Sequence, residues 1–220
     1  MHREEIRYAP YREAEVFLRA QENQTMFAVI FEVNPRPEAW DEYLGHAAML
    51  RPELLAIDGF IANERYRSLG RPGWLVSLSL WRNEKALIRW RTHALHHEIQ
   101  GKGRSFVFAD YHLRVGEIVT DTQSEATLPQ TRLDTTEVSA TKAVTVTERT
   151  LESAQVSGSP DADIFDSITR PGNALHIRSW LDPAAAEAGI YKEPGRHRIV
   201  RVIRDYGMFA RTEAPQYFPA

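Results

Sequence analysis

Between Met26 and Val119 the apolar period of the chain changes from two residues to three or four and back again, twice over, and that succession leaves few folds open. Met26–Val33 (MFAVIFEV) is aromatic and β-branched and predicts a buried strand, ended by Asn34-Pro35-Arg36-Pro37. Ala39, Tyr43, Ala47, Leu50 and Leu54 then share one face of a helix over Glu38–Ile57, which Asp58-Gly59 ends. Pro37 suits its first turn, and Pro52 predicts a kink or break near Leu50. Phe60–Leu69 alternates weakly as a strand, Gly70-Arg71-Pro72-Gly73 is a turn, and Trp74–Trp81 (WLVSLSLW) alternates cleanly. Asn83 caps a second helix over Glu84–Gln100, which Gly101 and Gly103 stop, and Tyr111–Val119 is a fourth strand. The order β-α-β-β-α-β is the ferredoxin-like arrangement.

Strands that are apolar on both faces need cover on the side away from the helices. The rest of the chain offers it. Val138–Arg149, Ala174–Leu181 and Arg198–Arg204 read as strands, Asp161–Ile168 as a short helix capped by Asp161, and Asp182-Pro183 opens an Ala-rich helix to Ala188. Residues 175–188 repeat the strand, Trp, polar cap and helix of residues 75–88, so the second half is a degenerate copy whose second strand is lost or shortened. The expected organisation is a leader over 1–24, a ferredoxin-like domain over 25–120, a linker over 121–137 and a degenerate ferredoxin-like domain over 138–220. The fold class is α+β, with antiparallel sheets packed on one another within one chain or across a homodimer.

Composition removes several functions. The chain has no Cys, which excludes disulfides, thiolate nucleophiles and Cys-ligated metals. A net charge of -3 gives no pull toward nucleic acid or an anionic membrane. No apolar run approaches the roughly 20 residues of a spanning helix. Residues 1–24 are charged and polar rather than a secretion signal, so a cytoplasmic location is expected.

The segments MFAVIFEVNPRPEAWDEY, RPELLAIDGFIANERYRSL, SLSLWRNEKALIRWRTHALHHEIQ and FADYHLRVGEIV, within Met26–Asp121, resemble the antibiotic biosynthesis monooxygenase domain family. The resemblance implies the dimeric α/β-barrel arrangement, in which two four-stranded units close their sheets face to face and leave a pocket between sheet and helices. It also implies three readings of function. The first is a monooxygenase-like enzyme acting with molecular oxygen on a small organic metabolite. The second is a haem-binding oxygenase. The third is a non-catalytic dimeric binding or regulatory protein.

Cofactor-free oxygenation asks little of a protein. The substrate carbanion reduces oxygen, so the pocket must deprotonate an enol or phenol and exclude water. A His near neutrality can be that base, and His97, His93 and His112 are the candidates. Leu87, Trp90, Ala94 and His97 fall on one helical stripe, which predicts that Trp90 and His97 line the pocket while His93 or His96 points closer to solvent. Asn63, Arg67 and Tyr66 on the second strand can hold an oxyanion, with Asn63, Arg65 and Arg67 on one face. In the haem-degrading members an axial His follows the Trp of this helix. Here Gln100 stands ten residues after Trp90, so His97 or His96 would hold the haem. His93 and His97 have metal-ligand spacing without an acidic third ligand, and no metal site is expected. For each of these residues the plain alternative is a structural or solvated polar side chain. Arg198, Arg201 and Arg204 are expected at a solvated surface or paired with Glu187 or Glu193.

Overall fold

The computed structural model describes residues 26–124, 128–153, 162–190 and 194–216. The expected leader over 1–24, and Asp161 and Glu193, lie outside them. Eight strands are present: β1 Met26–Pro35, β2 Phe60–Ser68, β3 Leu75–Trp81, β4 Phe108–Asp121, β5 Ala143–Thr150, β6 Ala162–Ser167, β7 Asn173–Trp180 and β8 Arg196–Gly207. Four helices join them: α1 Trp40–Ala56, α2 Glu84–Thr92, α3 Ala94–Lys102 and α4 Pro183–Ile190.

All pairings are antiparallel, and the strands close into one barrel in the order β1-β3-β2-β6-β7-β5-β8-β4. Each half has the ferredoxin-like strand order, so the fold is α+β with the barrel completed inside a single chain. The sheet edges of the first half are already paired, and closure does not call for a second copy. Two seams join the halves. The β4–β8 seam runs over nine register pairs, whereas β2–β6 has three. Side chains reinforce the short one: Ser68 Oγ and Arg71 Nε both donate to Asp163 Oδ2, at 2.8 and 2.7 Å, and Arg170 pairs with Glu64 at 2.9 Å. Gly116 allows the long seam to close, because a Cβ there would collide with the Arg201 carbonyl and Val200.

Alternation puts half of each strand inside. Ala28, Ile30, Val76, Leu78, Leu80, Val144, Val146, Phe165, Leu175, Ile177, Val200 and Val202 pack together across the lumen. The barrel is therefore a filled core. One end of it is polar. Glu32 bonds to Arg114 and Arg71 there, and those guanidinium groups hold its carboxyl below the ordinary range although burial pushes it up.

Several expectations are corrected. Pro52 does not break the first helix, which runs from Trp40 to Ala56 with Pro52 inside it. The second helix, in contrast, is interrupted at His93, whose ψ is 128°. Thr92 Oγ1 accounts for this by bonding back to the Ile88 carbonyl at 2.9 Å, a geometry that bends helices. The second strand of the second half is shortened rather than lost, six residues in β6 against nine in β2: it forms where the sequence suggests a short helix, because β2 and β7 pair with it on either side. Between β5 and β6 the described residues form a 3₁₀ turn at Leu151–Ser153. The fifth strand starts at Ala143 rather than Val138. Arg198 and Arg201 are not at a solvated surface. They are 2% and 5% exposed, and they pair with Asp121, Glu148 and Glu117. Residues 131–134, in the stretch expected as a linker, lie over Glu117: the Thr131 and Arg132 backbone N–H groups donate to its carboxylate, and Arg201 donates to the Asp134 carbonyl at 2.7 Å.

Candidate active site

The face of β1–β4 that points away from the lumen carries Val29, Phe31, Ser77, Ser79, Leu113 and Val115, and α1, α2 and α3 stand over it. The helices do not lie flat. A cavity of about 380 Å3 remains between them and the sheet, within the range of small-molecule sites. Leu50 and Leu54 of α1, Leu87 and Trp90 of α2, and Ile99 of α3 complete its apolar walls. Tyr43, Tyr111, Tyr206, His46, His96 and His97 bring polar atoms to it.

The interruption at His93 changes which His meets Trp90. An unbroken helix would carry the stripe Leu87, Trp90, Ala94, His97. Here α3 restarts with the His97 N–H bonded to the His93 carbonyl at 2.8 Å, and His96 folds back onto Trp90. The two rings stack at 4.1 Å with 15° between planes, and His96 Nδ1 lies 2.8 Å from the Trp90 carbonyl oxygen. Burial pulls the His96 pKa down from 6.5 to about 4, against the Trp90 carbonyl bond that favours the protonated form and with the help of His93 and His97. His96 is thus neutral at physiological pH. It lines the cavity together with His97; of the two residues the stripe offered as nearer solvent, His93 and His96, it is His93 that stays outside. His93 lies outside the lining, with Nε2 3.4 Å from Glu53 of α1.

The strand candidates divide. Asn63 lines the cavity, but its amide nitrogen donates to Ser77 Oγ at 2.8 Å and to the Leu78 carbonyl at 3.1 Å, so neither N–H is left for an oxyanion. Arg67 is exposed beside the turn between β2 and β3 and does not line the cavity. Tyr66 points into the lumen, 1% exposed, because alternation turns it away from the Asn63 face. His112 is on the polar end of the barrel, bonded to Asp205. Sequence reading passed over Arg65, which does line the cavity, and also Tyr206 and Arg211 in what looks like a tail. Alternation along β2 was the signal for the first. The other two had no local signal, since Tyr206 on β8 reaches the cavity only through the seam with β4 and Arg211 follows that strand.

Haem is a poor fit for His96. Its Nδ1 is held by the Trp90 carbonyl and its Nε2 faces the Gln100 side-chain nitrogen at 3.4 Å, so no ring nitrogen is free for an iron. Among the described residues no three His, Asp or Glu side chains converge as a metal site would, and no helix is long and apolar enough to cross a membrane.

Comparison with known proteins follows the same outline. Residues 26–102 match the model of the antibiotic biosynthesis monooxygenase family. Over 216 residues the chain is 41% identical to jasmonate monooxygenase ABM of Pyricularia oryzae, covering 88% of this chain and 99% of that one. The chain belongs to the antibiotic biosynthesis monooxygenase family. As a member it has a monooxygenase-like function, served by a small-molecule substrate and molecular oxygen. Among solved structures, a conserved protein from Methanosarcina mazei Go1 is 19% identical over 45% of this family member and 95% of its own chain, with a TM-score of 0.40. An aldoxime dehydratase is 9% identical over 81% of each chain, with a TM-score of 0.49.

Proposed function

We propose that the chain is a cofactor-free monooxygenase that receives jasmonate, or a cyclic ketone close to it, in the cavity between β1–β4 and α1–α3. The observation that carries the reading is the composition of that cavity: apolar walls from sheet and helices around a neutral His96, His97 and three tyrosines. The relative named for jasmonate, matched along nearly its whole length, supports the substrate.

The chemistry needs a proton taken from a carbon beside a carbonyl. The carbanion then reduces oxygen itself. Turning a CH2 group into C=O with release of water uses one O2 completely and needs no outside reductant. His97 is the base in this scheme, because His96 has both nitrogens engaged and a pKa too low for the task. Burial, with Tyr111 beside it, pushes the Tyr206 hydroxyl up to about 12, so it stays protonated and can donate to the developing enolate. The apolar walls keep water from the carbanion.

Oxygen consumption on addition of jasmonate, with incorporation of one atom from 18O2 read by mass spectrometry, tests the proposal. His97→Gln should lower kcat about 100-fold or more, the usual size of a lost general base, with an unchanged circular dichroism spectrum. Full activity in that variant would overturn the role of His97. A Soret band that accompanies the purified protein would overturn the cofactor-free reading.

A further inference from the structure

Buried arginines in this fold are matched with carboxylates from the chain itself. Arg114 has Glu32, Arg198 has Asp121 and Glu148, and Arg201 has Glu117. Arg65 breaks that pattern. It stands on β2 opposite Ser77, with its side chain at the floor of the cavity. Its Nε is buried without a hydrogen-bond partner, as are those of Arg114 and Arg201, but among the described residues no ion pair involves Arg65, whereas a carboxylate meets each of the other two. A half-buried guanidinium without a counter-charge from the chain is costly, a cost a fold tolerates where a ligand removes it.

The surroundings fix the sign of that ligand. Arg51, Arg91, Arg104 and Arg211 line the same cavity, and among the described residues no Asp or Glu does. The remaining wall is largely apolar. A molecule complementary to this space has one negative group and an apolar body. The planar fork of Arg65 matches a carboxylate by two parallel bonds.

We infer that the substrate is a monocarboxylic acid whose carboxylate is received by Arg65, which fixes the direction in which the apolar body enters the cavity. This rests on the cavity being the monooxygenase site and adds to it the group of the substrate that is recognised, its carboxylate, and the residue that selects it. Arg65 is a positioning residue. It takes no part in proton transfer, and it supplies the counter-charge that the chain withholds.

Two acid and ester pairs, jasmonate with methyl jasmonate and decanoate with methyl decanoate, test this by quenching of tryptophan fluorescence, since Trp90 lines the cavity. The wild-type protein should bind at least one acid about tenfold or more tighter than its ester, the size expected for one charge-assisted contact. Arg65→Gln should erase that gap by weakening the acid alone, and Arg65→Lys, which keeps the charge without the fork, should restore part of it. The ligand-free Arg65→Gln protein should melt at or above the wild-type temperature, which a structural arginine would not allow. Acid and ester bound equally in both pairs, or not at all, would overturn the assignment, as would an Arg65→Gln change that weakens acid and ester alike or lowers the melting temperature. The monooxygenase reading fails separately: it stands if oxygen is consumed with an ester, and it falls if the acid binds through Arg65 but neither acid nor ester is oxidised.

Discussion

His96 offers a sharp quantitative test, because a single ring reports both on the break in the helix and on the polarity of the cavity. Replacing it by Phe keeps an aromatic ring on Trp90 and removes the titration. In the folded protein the His96 pKa falls from 6.5 to about 4, mainly by burial. At about 1.4 kcal/mol per pH unit, that displacement makes the folded state about 3 kcal/mol less able to accept the proton. The direction follows from the depressed folded value. Above pH 6.5 neither state carries the proton, and stability is independent of this group. As pH falls below 6.5 the unfolded chain binds a proton that the folded chain refuses, and stability declines until about pH 4, where the folded ring also titrates. Urea unfolding at a series of pH values between 7 and 4 should therefore show His96→Phe losing about 3 kcal/mol less than wild type across that window. The His96 ring resonance, followed by NMR, should titrate near 4. A resonance titrating near 6.5, or parallel pH curves for the two proteins, would refute the stacked and buried placement and with it the neutral wall of the cavity.

Glu117 is fully buried with Arg201 and the backbone of residues 131–132 on its oxygens, so Glu117→Ala should cost about 3–5 kcal/mol in chemical denaturation. Pairing Glu117→Leu with Arg201→Met should recover most of that loss, and a double variant no more stable than Glu117→Ala would contradict the uncompensated-charge account. Gly116→Ala should destabilise by about 1–3 kcal/mol through overpacking at the β4–β8 seam, with faster amide exchange in β8 than in β7; an unchanged melting temperature would count against the close approach seen there.

Much of this architecture could be read from period and punctuation. The strands of the first half alternate so regularly that β1, β3 and β4 sit where pattern alone puts them, and Asn83 caps its helix through the Ala86 N–H at 2.9 Å. The failures share a cause, which is that sequence pattern is local and the deciding contacts are not. Residues 162–167 have no strong strand pattern and become β6 because two neighbours supply hydrogen-bond partners. Arg198 and Arg201 look like surface residues by charge, yet Asp121, Glu148 and Glu117 reach them from other strands. Within the site, the stripe argument brought Trp90 and His97 to the cavity wall but could not foresee the break at His93, beyond which His96 stacks on the indole. Asn63 was placed on the correct face and then found with its donors spent on Ser77 and Leu78, something only cross-strand register reveals.

The closure of the barrel within one chain has an effect on stoichiometry. When two identical units build such a barrel, symmetry repeats every residue, and each helix-covered face owns a site. Here the two outer faces have diverged. Over β5 and β8 the short helix α4 lies close, with Gly189 so near the Trp180 indole that no side chain would fit between them, and Ala143, Ala186, Ile190 and Ile199 pack together beneath it. One face stays hollow, and among the described residues the other is packed around α4. A titration should end at one ligand per barrel in the cavity beneath α1–α3, and substitutions around Trp180 and Gly189 should alter melting temperature without altering which molecule is bound there.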